Sequence, residues 1–340
     1  CATSCGDKKK KSYDEIAMSG LTTRTENLQT NVKAYANKGT LIGQMYGTLT
    51  GIGWNRWQCD SDRCDMQAIC GFRPAVNGYE LAGIENGKSS NIDGIPFKSI
   101  KEDVLKNFRK GGLLIMNWTA PNYNGNEDIL EEYAKKVANF LGSLQDDYGI
   151  KAPIVLNLFP IDGKSWYCQL SKDDYIDLYK KVQDLLDDED VSNVIYGYSE
   201  AYQPGKNLMD RYPDHNIDVI NVTYLQSRTS INLPLYDKSI KDIINQALPF
   251  AQEHNTAFGL TTGVESIGDS SVFASTLLPE LKQHHIAYLM FGKNQGEPID
   301  GHYFVPYPGV ENQKIHGFMK LVNDEVSIFL EKLNGLYLKH

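Results

Sequence analysis

The chain has 340 residues, 41% hydrophobic and 23% charged, a globular balance that suits one large barrel or two modest domains. Its formal net charge of -9 and pI near 5.3 argue against nucleic acid or an anionic lipid surface as partner, because both need a clustered excess of Lys and Arg. Neutral or cationic ligands fit better, and no apolar run reaches the roughly 18 residues a membrane helix requires.

The first residues, CATSCGDKKKKSYDE, begin with Cys and continue polar and lysine-rich. That is the pattern of a bacterial lipoprotein after signal-peptide removal, with a lipidated Cys and a flexible tether. Cys1 is the expected lipid carrier and Cys5 its rival, since ATSC itself reads as a lipobox; a start at Cys without lipid is the plainer alternative. Residues 1–20 are expected to form the tether and residues 21–340 one domain.

Beyond the tether, runs that read as buried strands come in the order LIGQMY, PAVNGYELAG, GLLIMNW, APIVLNLF, NVIYGYS, IDVINVTY, TAFGLTTG and IAYLMF. Amphipathic stretches such as DILEEYAKKVANFLGSLQ and DDYIDLYKKVQDLLDD separate most of them, with apolar residues at three- and four-residue spacing. Strands alternating with helices imply an α/β fold, and eight of them a (β/α)8 TIM barrel in a single domain. A doubly wound open sheet is the alternative, weakened because no glycine-rich phosphate loop follows any strand. GFMKLVNDEVSIFLEKLNGLY reads as a closing helix. Cys59, Cys64 and Cys70 crowd CDSDRCDMQAIC, where an exported protein is expected to form one bridge. A zinc site is less favoured there, with no His or CxxC pair. Cys168 stands alone.

In such a barrel the ligand site is built from the loops after the strands. Trp54 and Trp57 follow the first strand, Trp118 ends the third and Trp166 follows the fourth; Tyr46, Tyr167, Tyr198 and Tyr224 fall at similar strand ends. Flat aromatic faces in one open cleft imply stacking on sugar rings, whose axial C–H faces are apolar. The plainer reading is that each aromatic caps the core. His284 and His285 lie before the eighth strand, at the opposite end of the barrel. His302 opens HYFVPYPG, whose aromatics and prolines look structural. LLDDEDVSN reads as a solvated helix end without calcium-loop spacing. No cofactor or metal is expected.

LIGQMYGTLTGIGW, RPAVNGYELAGIE, GGLLIMNW, RYPDHNIDVINVTYL, LTTGVE and HYFVPYPGVENQKIHGFMKLVND resemble, in order, the successive blocks of glycoside hydrolase family 26, chiefly β-mannanases, in the form found among Bacteroidetes. The resemblance runs from about Thr40 to Tyr337. It implies a (β/α)8 barrel that cleaves β-mannan or related β-glucans with retention, using a Glu after the fourth strand as acid/base and another at the seventh as nucleophile. Retaining hydrolysis needs both carboxyl groups, about 5–5.5 Å apart.

Aligned with the family's blocks, NLFPIDGKSW places Pro160 at a His and Ile161 at the acid/base, and LTTG places Thr261 at the nucleophile. Gln44 and Thr119 stand at two further His positions, and W-R-N becomes Gly292, Lys293 and Asn294. Each lost catalytic group ordinarily supplies several powers of ten in rate, roughly 10²–10⁴ for acid–base help. The sequence therefore leans away from an enzyme and toward a barrel that binds a polysaccharide or oligosaccharide, β-mannan-like by resemblance, through Trp54, Trp118, Trp166, Tyr224, Gln44 and Asn294. Lipidation would hold it as a cell-surface, outer-membrane lipoprotein near a glycan transporter complex. Asp162 and Glu200 are the candidates to rescue catalysis in an active hydrolase, with Glu265 read as an ordinary loop residue. A structural subunit of an uptake complex is the third reading.

Overall fold

The computed structural model describes residues 16–17, 19–59, 62–268 and 270–339. Cys1, Cys5 and most of the expected tether lie outside them. Eight strands carry the fold: β1 (Thr40–Met45), β2 (Val76–Glu80), β3 (Leu113–Trp118), β4 (Ile154–Leu158), β5 (Val194–Ala201), β6 (Val219–Gln226), β7 (Ala257–Val264) and β8 (Tyr288–Phe291). They pair in parallel in chain order. β8 then returns to β1, with Leu41 opposite Tyr288 and Gln44 opposite Phe291, so the sheet closes. Both faces of each strand are covered, which is why the strands read as nearly continuous apolar runs.

Around this barrel lie α1 (Thr23–Tyr35), α2 (Asp65–Cys70), α3 (Phe97–Arg109), α4 (Glu127–Ser143), α5 (Lys172–Asp188), α6 (Leu233–Glu253), α7 (Leu278–Gln283) and α8 (His316–Asn323). Ser171 caps α5 by accepting from the Asp174 amide, and Asn232 caps α6 by accepting from the Leu235 amide. The result is the expected (β/α)8 barrel.

No helix forms in residues 202–218, between β5 and β6. Two local expectations need correction. The expected closing helix stops at Asn323, because Asp324 turns extended and its carboxylate accepts from the Val326 amide. Ser327–Ile328 then pairs beside β1. The expected bridge among Cys59, Cys64 and Cys70 does not form. Cys64 is a buried thiol before α2, while Cys59 and Cys70 donate to the carbonyls of Asn55 and Phe72.

Strand parity decides which residues see the barrel interior. Asn221 of β6 and Thr261 of β7 face inward. Asn221 Oδ1 accepts from Thr261 Oγ1 at 2.8 Å and from Tyr288 of β8 at 3.0 Å, and its amide donates to Ser199 Oγ of β5. Alternate residues face the helices: Tyr224 stacks on Tyr236 of α6 at 5.7 Å, and Tyr198 packs edge-on against Tyr212.

Candidate binding cleft at the barrel mouth

Ile161 and Thr261, where the resemblance places carboxylates, are both engaged with neighbours. After β4 the chain bends at Phe159, whose φ is 47°. Ile161 then donates its amide to the Ser199 carbonyl at 2.9 Å and accepts from the Ala201 amide at 2.7 Å, opposite Glu200. Thr261 spends its hydroxyl proton on Asn221. Neither side chain can carry a carboxylate's charge or act as a general acid near neutral pH.

The rescue candidates do not pair across this space. Asp162 ties its own turn, accepting from the amides of Lys164 and Ser165 at 2.7 Å and from the Ser165 hydroxyl at 2.8 Å. Against the upward push of burial, these bonds hold its carboxyl below the ordinary value. Glu200 shares the outward parity of Tyr198, whose hydroxyl donates to it at 2.9 Å, as does the Met209 amide. Burial raises its pKa, and it lines a cavity of about 390 Å³ with Ile161, Gln169, Gln203 and Arg211. Replacing Asp162 with Ala is expected to loosen the 162–168 turn, costing about 1 kcal/mol for the lost capping bonds. Thermal unfolding reads that cost; an unchanged midpoint would show that the turn stands without it.

Several expected sugar platforms are enclosed. Trp118 is 0% exposed, tilts against Phe159, and donates Nε1–H to Glu85 Oε2 at 3.1 Å. Tyr224, on the helix-facing side of β6, is buried between Tyr202 and Tyr236. Trp54 retains 7% exposure, with Nε1–H held by Asp65. With Trp57, Asp93 and Lys293 it borders a cavity of about 270 Å³. Trp166 is half-buried, its Nε1–H on the Ala120 carbonyl at 2.9 Å and its ring edge-on to Tyr123.

Gln44 and Asn294, each 1% exposed, cannot reach a ligand directly. Gln44 donates to the Gly292 carbonyl and to Asn294 Oδ1, both at 3.1 Å. Asn294 in turn accepts from the Phe304 amide at 2.9 Å and donates to the Val305 carbonyl and to Asp65. Their work is to hold the loop after β8.

Glu80, which the sequence reading passed over, has the same strand parity as Gly78, whose missing side chain faces the Met45 and Met290 sulfurs. Its carboxylate accepts from the amides of Ala82 and Thr119 and from the Thr119 hydroxyl. Burial, with Asp93 adding repulsion, raises its pKa to about 7. Above it Lys293 Nζ meets Asp93 Oδ1 at 2.7 Å, and Tyr46 donates to the other Asp93 oxygen at 2.8 Å. The alternation in VNGYE was the available signal for Glu80. No local pattern announced the Asp93–Lys293 pair, whose members are 200 residues apart.

At the next part of the rim, His302 Nδ1 lies 2.5 Å from Glu265 Oε1, and the Arg228 amide donates to the same carboxylate. These contacts lace together the loops after β6, β7 and β8. His285 rests on the Ala36 carbonyl and His284 on Glu280, before β8. Among the described residues no group of three or more His, Cys, Asp or Glu is arranged to hold a metal.

The fold and these strand ends define a (β/α)8 barrel with polar groups and half-open aromatics around its C-terminal mouth. No family model matches the chain, and no curated protein matches it by sequence. Solved structures do. A family-26 β-mannanase from Bacteroides ovatus superposes with a TM-score of 0.84 at 26% identity, covering 94% of this chain and 98% of its own. The catalytic domain of a family-26 endo-β-1,4-mannanase from Bacillus sp. JAMB-750 gives 0.80 at 17% identity, covering 98% and 97%. GH26C from Muricauda sp. gives 0.79 at 19%, covering 94% of each chain. The first of these carries the likeness beyond fold: this chain resembles the family-26 β-mannanases at the level of the family.

Proposed function

We propose that this protein binds a glycan at the barrel mouth without hydrolysing it, and that it does so as a lipoprotein on the outer-membrane surface. The observation that carries the reading is the chemistry at the two strand ends where family-26 retention needs carboxyl groups. Ile161 and Thr261 stand there, each bonded to the neighbouring strand. Around them a half-buried Trp166, the cavity at Trp57, and the Asp93–Lys293 pair supply apolar faces with polar neighbours, the combination that sugar rings require. The ligand is a β-mannan-like polysaccharide, by likeness to mannanases. The proposal includes anchoring through Cys1 or Cys5, which the polar, lysine-rich stretch CATSCGDKKKK supports, and a place beside an outer-membrane glycan transporter.

Glu80 favours a second reading, an active hydrolase that draws on unconventional carboxylates. Burial raises the Glu80 pKa to about 7, the range a general acid needs, on an inward position of β2 where its oxygens accept from Ala82 and Thr119. Retention still needs a partner nucleophile, and Asp162 and Glu200 are committed to their own turns.

Affinity electrophoresis and calorimetry against galactomannan, glucomannan, xylan and mixed-linkage glucan test the binding. At least one is expected to bind, and Trp166→Ala to weaken it about tenfold, the upper range for one aromatic contact. Failure to bind any of them would favour the structural-subunit reading.

A further inference from the structure

We infer that Phe304, carried on the loop after β8, is an aromatic platform for a sugar ring at the barrel mouth. The inference rests on the glycan-binding reading and adds a residue to it. Two glycines reveal the placement. A Cβ built on Gly292 would lie 2.6 Å from Phe304 Cδ2 and 2.8 Å from both Cε2 and Cγ. One built on Gly263 would lie 2.8 Å from Phe304 Cδ1. Real side chains do not approach so closely, so the ring occupies the space that residues 263 and 292 would otherwise fill.

That space belongs to the mouth. Gly263 follows Thr261 by two residues on β7, and Gly292 follows Met290 by two on the β8 side. They therefore continue the inward rows that contain Thr261 and Tyr288. Phe304 thus sits one layer above the vacant nucleophile position. The residue is half-buried at the edge of the core.

The ring is also held in place. Asn294, anchored by Gln44 and Asp65, fixes the backbone on both sides of it: Oδ1 accepts from the Phe304 amide at 2.9 Å, and Nδ2 donates to the Val305 carbonyl at 3.0 Å. A pre-positioned flat ring loses little freedom when a sugar stacks on it. Gln44 and Asn294 then act on the ligand through Phe304, as positioning residues.

Calorimetry with mannohexaose, cellohexaose and xylohexaose tests this on wild type, Phe304→Leu, Phe304→Ala and Phe304→Trp. Leucine preserves apolar volume and fold but offers no flat face. The expected result is binding of at least one hexaose by wild type, about tenfold weaker in the Leu and Ala variants, and restored to within about threefold by Trp. Thermal midpoints should show the Leu variant folded. Equal binding by wild type and Phe304→Leu would overturn the platform and leave the glycan-binding reading standing. Tighter binding by Phe304→Ala would also overturn it, making the ring a plug. No binding by wild type would remove both.

Discussion

Replacing Trp118 with Ala is expected to cost about 3–5 kcal/mol of folding stability, the range for deleting a large buried aromatic. The ring is wholly enclosed and packs on Phe159. Its loss leaves a cavity and also removes the indole proton from Glu85 Oε2. Glu85 is itself buried, and its other oxygen already accepts from Gly83 and Asn86. The carboxylate would be left partly unpaired, adding to the cavity cost. For a chain of this length the loss corresponds to a fall of roughly 4–7 °C in Tm. Trp166→Ala, at a half-open ring, is expected to lower Tm far less and to act on ligand affinity. A Trp118→Ala protein with unchanged Tm and lost binding would reverse the assignment of the two residues.

The second large effect concerns Glu80. Its pKa in the fold is about 7, against an ordinary 4.5, chiefly because burial penalises the charged form. Between those values the folded protein keeps a proton that the unfolded chain has released. The contribution of this group is therefore most favourable below about pH 4.5, is lost as pH rises through about 7, and is level above that. The lost part is on the order of 3 kcal/mol. Glu80→Gln keeps an oxygen for the Ala82 and Thr119 amides and offers an NH to the Thr119 hydroxyl, so the shape and bonds survive without the charge. Denaturant titrations at pH 5 and pH 8 should show the variant gaining on wild type by on the order of 2–3 kcal/mol at the higher pH. Parallel stability curves would show that Glu80 does not titrate in this window.

The barrel was legible because parallel strands covered on both faces leave long apolar runs: each of the eight strands overlaps one of those runs, and β1, β5, β6 and β7 extend one or two residues beyond it. The site was less so, for a reason visible at Trp118, Tyr224 and Glu200. Each lies at a strand end, where barrel ligands bind, but strand ends have two faces. Counting alternation back from Asn221 puts Tyr224 on the α6 side, and from Ser199 it puts Glu200 outside the barrel. The same counting would have found Glu80. Gln44 and Asn294 stand in blocks that imply ligand contact, but both are 1% exposed and bonded to the loop after β8. Phe304 had no local signature. Its position depends on the absence of side chains at Gly263 and Gly292, one distant in sequence and both silent in composition.

Release of products from a bound polysaccharide is the most direct measure of whether this cleft still cuts. Incubating the protein with whichever of the four polysaccharides it retains, and counting new reducing ends over a day, should give the same value as a protein-free blank. Steady product release that disappears in Glu80→Gln or Glu200→Ala would contradict the account and make the protein a hydrolase with relocated carboxylates.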